Sequence, residues 1–268
     1  MEFRHAASIS GFAGPVRSLC IGAGGRLYVS DGANIRSYDS PGRPAASYTA
    51  SRPVCAVAVA SNGSVYAGEA GQVEIFDGSG RIVGTWRNLG ALGEITAIGF
   101  FGRDVFLGDA AGRCILRCDR AGRVLGRIGA NGPLGGFHIP NGIIDFDIDA
   151  EGVIHAANPG KHRVERYSRD GELLGHVGRF DGQDPAGFGG CCNPTNAALG
   201  HSGRIYVTEK ADARAKVLDR NGKLLAVIGE GMFHPASKNM TIAIDTRGCV
   251  YVADAARRRV VIFEEVAA

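Results

Sequence analysis

Six segments of the sequence share one shape, and this repetition restricts the fold more than any other feature. They are GRLYVSD (25–31), GSVYAGE (63–69), RDVFLGD (103–109), GVIHAAN (152–158), GRIYVTE (203–209) and GCVYVAD (248–254). Each opens near a turn residue, runs through apolar residues and ends on a carboxylate or amide. The fourth position holds Tyr28, Tyr66, Phe106, His155, Tyr206 and Tyr251. Successive spacings are 38, 40, 49, 51 and 45 residues. A strand-patterned repeat of this length predicts propeller blades, because one such unit cannot bury its own faces and must stack on neighbours.

The flanks complete the unit. A second element follows each segment: IRSYDSPGR, VEIFDGSGR, ILRCDRAGR, VERYSRDGE, AKVLDRNGK and finally VVIFEEV. The first five read as a strand followed by a Gly-bearing hairpin turn. Another strand follows those turns, as in VLGRIG (124–129), LLGHVG (173–178) and LLAVIG (224–229). Upstream lie VRSLCIG, VCAVAVA, ITAIGF, IIDFDID, TNAALG and MTIAID. Each unit is therefore four short strands, a, b, c and d. The sixth lacks its strand d, while FRHAASIS (3–10) alternates like one and precedes the first strand a. Pairing the two closes the ring and removes an exposed sheet edge. The expected fold is all-β: one domain over 1–268, a six-bladed β-propeller of four-stranded antiparallel blades closed by the N-terminal strand. No helical apolar spacing persists over three turns. A solenoid is the structural alternative, and the displaced N-terminal strand argues against it.

Composition agrees. Gly is 41 of 268 residues, roughly twice average usage, as a turn-rich chain requires. Hydrophobic residues at 45% and charged residues at 21% are a globular balance. Lys plus Arg is 30 against 27 acids, for a net charge of +3. So small a surplus does not imply nucleic acid or an anionic membrane as partner. The apolar run Val54–Ala60 falls far short of the ~20 residues of a membrane span. The first residues, MEFRHAASIS, do not read as a secretory signal. Together with an odd count of seven Cys, this predicts reduced thiols and a cytoplasmic setting.

The units resemble NHL repeats: an apolar strand, D/E-x-G, a second strand ending in Asp, a short basic loop, then R-[IV]-x-x-[FY]. GFHIPNGIIDFDIDAEGVIHAANPGKHRVERYSRDGELLGHVG and IAIDTRGCVYVADAARRRVVIF carry the pattern best. The segment GFGGCCNPTNAALGHSGRIYVTEKADARAKVLD looks like one found in some bacterial NHL-repeat proteins. WD40 repeats are disfavoured, since Trp86 is the only Trp. NHL-type folds include lyases, lactonase-like enzymes and RNA-binding modules, so the resemblance implies the fold without fixing an activity.

In such a fold the d→a and b→c loops share one face. The d→a loops vary most, which makes that face the expected site. It would gather Cys55, Glu94, His138, Asn141, Cys191, Cys192, Asn193, His234 and Lys238, with Asp31, Glu69, Asp109, Asn158, Glu209, Lys210 and Asp254 at the b→c ends. His138, His234, Cys192 and Glu209 are the candidate ligands for a divalent ion such as Zn²⁺. Against this, a carboxylate recurring in nearly every blade is better explained by turn capping. Cys191-Cys192 read either as a redox-sensitive or metal-ligating pair, or as one buried and one half-exposed thiol on opposite faces of a strand. Cys114 and Cys118 are too far apart on a strand to share a metal. Arg257, Arg258 and Arg259, near Lys161, His162, Arg163 and Lys210, form either a crescent for RNA or a rim paired with Asp254 and Glu264. His162 reads as structural.

The expected function is a scaffold that engages a protein or peptide partner through Cys191, Cys192, Asn193, Asn141, Lys210 and Arg258. The alternatives are a metal- or thiol-dependent lyase or hydrolase at the channel mouth, and RNA binding. The scaffold leads because no complete catalytic constellation can be assembled from spacing.

Overall fold

Short apolar strands with a two-residue period, separated by Gly-containing turns, have only their neighbours to pair with. A computed structural model describes residues 1–87, 93–130 and 135–266. Its 24 strands form six four-stranded antiparallel sheets. Strand β1 (Phe3–Ile9) stands apart. Blade one is β2 (Val16–Ile21), β3 (Leu27–Asp31), β4 (Asn34–Ser40) and β5 (Arg43–Thr49). Blade two is β6 (Ala56–Val59), β7 (Val65–Gly68), β8 (Gln72–Phe76) and β9 (Ile82–Arg87). Blade three is β10 (Ile95–Phe101), β11 (Asp104–Asp109), β12 (Cys114–Cys118) and β13 (Val124–Ile128). Blade four is β14 (Phe146–Ile148), β15 (Ile154–Asn158), β16 (Arg163–Tyr167) and β17 (Leu173–Val177). Blade five is β18 (Asn196–Leu199), β19 (Ile205–Glu209), β20 (Arg214–Leu218) and β21 (Leu224–Ile228). Blade six is β22 (Ile242–Ile244), β23 (Val250–Asp254) and β24 (Arg259–Glu265).

Closure follows the expected route. Strand β1 pairs antiparallel with β24, from Phe3 opposite Glu265 to Ile9 opposite Val260. The innermost strands β2, β6, β10, β14, β18 and β22 pack in sequence, and β22 returns to β2. No described helix is long and apolar enough to cross a membrane.

The D-x-x-G turns explain themselves chemically. Asp77, Asp119 and Asp219 each accept backbone N–H groups two and four residues on through one carboxylate oxygen. Such Asx turns suit a residue with a positive φ at the fourth position, and Gly80, Gly122 and Gly222 occupy it at φ +85, +83 and +88. At Gly122 a Cβ would also collide with the Trp86 ring. The donated bonds hold these half-buried carboxylates below their ordinary range. For Asp77, pulled to about 2, the Ser79 hydroxyl leads. For Asp119 and Asp219 the N–H of the residue four on leads.

The core lies between blades, as six clusters. Phe12, Phe137, Phe188 and Phe233 descend into it from the d→a loops. Cys114 and Cys118 are buried there as packing residues, and burial first of all pushes the Cys118 thiol up to about 12.

Ile9, 4% exposed, is the core contact of the closing strand. Ile9→Ala should destabilise the fold by about 2–4 kcal/mol, read from denaturant unfolding. Deleting Phe3–Ile9 should lower the melting temperature further and produce concentration-dependent association through the bared β24 edge. A truncated chain with parental melting and monomeric size would contradict closure by β1.

Candidate functional site

The residues ending each strand b come first, because they hold the loops in place. Asp31, Glu69, Asp109, Asn158, Glu209 and Asp254 are all buried. Four accept a backbone N–H from the d→a loop of their own blade. Ala13 donates to Asp31 at 2.7 Å, Gly93 to Asp109 at 3.1 Å, His138 to Asn158 at 3.1 Å and His234 to Asp254 at 3.4 Å. The recurring group is a clamp on the loop, as turn chemistry predicts. Glu209 differs: it pairs with Arg214 at 2.7 Å and with Lys216 at 2.9 Å. Lys216 is itself fully buried, donates to Gly187 O at 2.6 Å and lies 5.3 Å from the Phe188 ring centre.

Above the clamps, the d→a and b→c loops surround an axial mouth of about 490 Å³. Arg17, Cys55, Glu94, Asn141, Lys238 and Asn239 contribute to its wall. Arg17 lies 3.3 Å from Glu94 and 3.0 Å from the Cys55 sulfur. Lys210 reaches across from blade five and donates to Asn141 Oδ1 at 2.7 Å. That bond turns the Asn141 amide nitrogen away, and among the described residues neither Asn141 Nδ2 nor Asn239 Oδ1 has a partner.

Below the mouth, polar side chains tie inner strands of neighbouring blades at three junctions. Val57 N donates to Ser18 Oγ, Ile144 N to Thr96 Oγ1, Ala197 N to Asp145 and Leu199 N to Asp147. Each satisfies a backbone group left over at the inner edge of a sheet. Burial pushes Asp145 up to about 7 and Asp147 upward.

Most of the expected binding residues meet. Asn193 accepts from Lys210 N and donates to Lys210 O, so it positions the loop from which Lys210 reaches Asn141. Cys191 and Cys192 precede Asn193 in a loop, not in a strand, and their sulfurs lie 2.7 Å apart. The expected opposed faces are thus corrected: Cys192 sits at φ +72, which swings both side chains to one side. Arg258 stands apart. It occupies φ +51 and donates to Ala13 O. Arg257 and Arg259 bind Met232 O and Asp254, whereas Glu264 pairs with Arg4 in place of this basic run.

The four candidate metal ligands do not converge. Among the described residues no group of three or more His, Cys, Asp or Glu side chains is arranged to hold an ion. Glu209 is committed to two cations, the His234 ring accepts Ala236 N at 3.1 Å, and the His138 ring packs over Gly160.

The sequence reading missed the opposite end of the axis. There the short a→b and c→d turns leave a larger cavity, about 820 Å³, beside blades four, five and six. His155 and Arg166 line it. The available signal was the one imidazole in a column otherwise of Tyr and Phe at the fourth repeat position.

No protein-family model and no curated protein sequence matches the chain. Among solved structures, it is similar to streptogramin B lyase, with a TM-score of 0.67 and 12% identity over 98% of this chain and 97% of the other. It is also similar to the WD40 β-propeller domain of Doa1, with a TM-score of 0.61 and 11% identity over 99% and 97%. At such identities the likeness establishes the propeller fold alone.

Glu69 yields a pH dependence. Burial leads in raising its carboxyl from 4.5 to about 7, and neighbouring Glu74 adds to the shift. Its Oε1 lacks a partner among the described residues. The folded chain holds this proton more tightly than the unfolded one, so the ionisation penalty grows as pH rises from 4.5 and is complete above about 7. Glu69→Gln should therefore raise unfolding free energy at pH 8 by on the order of 1–3 kcal/mol and much less at pH 5. Denaturant titrations showing the same difference at both pH values would refute it. For the thiol pair, oxidation by diamide should remove two hydrogens from the chain by intact mass, and Cys192→Ser should abolish the change. A wild-type mass that stays constant would show that the sulfurs cannot join.

Proposed function

We propose that the protein is an NHL-type binding propeller that seats a protein or peptide partner on its d→a and b→c loop face. The observation that carries this reading is the pair of open valences in the mouth. Asn141 Nδ2 offers a donor and Asn239 Oδ1 an acceptor, and each lacks a partner among the described residues. A peptide backbone presents the complementary pair at every residue. The lining selects charge: Arg17 and Lys238 outnumber Glu94, which favours an acidic segment. Phe180 stands 63% exposed at the rim, edge-on to His162 at 4.9 Å between ring centres. An aromatic anchor of this kind suits a protein interface. The clamped loops reduce the ordering that binding would otherwise require.

A thiol enzyme at the same mouth is the weaker reading. Its best nucleophile, Cys55, is pushed up first by burial and then by Glu94, against the pull of Arg17, and a raised thiol is a poor source of thiolate. RNA binding is weaker still, since Arg257, Arg258 and Arg259 are engaged with Met232 O, Ala13 O and Asp254.

Selection of displayed random peptides on the immobilised propeller tests the proposal. Acidic sequences should be enriched. Lys238→Glu and Asn141→Ala should each weaken them about tenfold or more, while Asn221→Ala on the opposite face should not. Failure to enrich any sequence, or binding indifferent to Lys238→Glu, would overturn it.

A further inference from the structure

The second cavity begins with an exception in the repeat. In five blades the fourth position of the b segment is aromatic: Tyr28, Tyr66, Phe106, Tyr206 and Tyr251 are all 0–6% exposed. Each ring joins the core between its own blade and the next. Blade four carries His155 instead, and the hydrophobic residues packed between blades four and five include no Tyr or Phe from that position. An imidazole is shorter than a phenol. His155 lines a cavity of about 820 Å³, within the range that small-molecule sites occupy.

His155 is 9% exposed. Its Nε2 lies 3.0 Å from Asp149 Oδ2. A carboxylate can only accept there, so in the neutral imidazole Nε2 carries the hydrogen and Nδ1 is the acceptor. Nδ1 is shielded and has no partner among the described residues. Arg166, the register partner of His155 on β16, lines the same cavity. Its Nε is likewise buried without a partner. Asp147, the register partner on β14, accepts one backbone N–H on each oxygen and retains further acceptor capacity. Three strands thus set an open acceptor, an open guanidinium donor and a carboxylate side by side, with neighbouring Cβ atoms about 5 Å apart.

A ligand that satisfies all three needs an anionic oxygen for Arg166 and a donor close by for His155 and Asp147. The donor is better cationic, because Asp147, Asp149, Glu151 and Asp245 outnumber Arg166 and Arg220 around the cavity. The remaining wall supplies apolar surface from Leu174, Leu199 and Ile244. We propose that this cavity is a binding site for a free α-amino acid with an apolar side chain. Its carboxylate pairs with Arg166, its ammonium faces Asp147 and His155 Nδ1, and its side chain lies against Leu199 and Ile244. A cation at this place also relieves Asp147, whose carboxyl is pushed up by burial. The site lies at the other end of the axis from the proposed partner face and is independent of it.

Calorimetric titration of the full chain with L-leucine, L-valine, L-methionine and L-phenylalanine tests the site. At least one should bind saturably. For that amino acid, the analogue lacking the ammonium (4-methylpentanoate in the case of leucine) and the amide lacking the carboxylate (leucinamide) should bind at least about tenfold more weakly. His155→Tyr restores the residue of the other blades, so it should melt at or above the parental temperature while losing the binding. Arg166→Gln should weaken the amino acid about tenfold or more and leave its amide unaffected. Absence of saturable binding by all four, or retention of full affinity in a folded His155→Tyr, would overturn the proposal.

Discussion

The pairing of β1 with β24 joins the two ends of the chain and makes the six sheets a ring. Each blade buries its faces only against its neighbours, so an open row would leave one face bare at each end and two sheet edges unpaired. Closure supplies the missing neighbour. It places Ile9, Tyr251, Val260 and Leu19 in one buried cluster shared by the first and last blades. It also brings β22 back against β2 and thereby creates an axis. Every site described here lies at one end of that axis or the other, and none exists in an isolated blade.

Within the ring, polar chemistry fixes what hydrophobic packing leaves loose. The side chains ending four of the strands b clamp the loops above them, while Ser18, Thr96, Asp145 and Asp147 stitch one inner strand to the next. Both devices bury polar groups, and backbone N–H groups satisfy many of their oxygens. The result is a rigid frame with recesses of different character at its two ends. One is a basic mouth with an aromatic rim. The other is an acid-rich cavity with the guanidinium groups of Arg166 and Arg220 in its wall. Rigid walls with a few unmatched polar atoms are what small, specific sites require.

The fold was legible because its information is local and repeated. Strand alternation, Gly in D-x-x-G turns and a displaced strand at Phe3–Ser10 each have one stable use, and six copies reinforce one another. The clamping role of Asp31, Asp109 and Asp254 was legible for the same reason. The candidate site was legible only in part. Asn141, Lys210 and Asn193 were expected on one face, and they do form one hydrogen-bonded chain. His138, Cys192, Glu209 and His234 were expected there too, yet they do not converge. Lys216, silent in the sequence as one basic residue among 30, rises from below to neutralise Glu209. A carboxylate's availability depends on such buried neighbours, and spacing along the chain does not reveal them.

The sequence by itself determined the number of blades, the order of strands and the route of closure, because periodicity and turn chemistry act over a few residues. Only the tertiary structure decided which polar atoms are left without partners. The repeat column marks His155 as an exception, but nothing in the order of residues says that it lines a cavity beside Arg166. That outcome depends on volumes and hydrogen bonds contributed by three blades at once, and those meet only when the ring is closed.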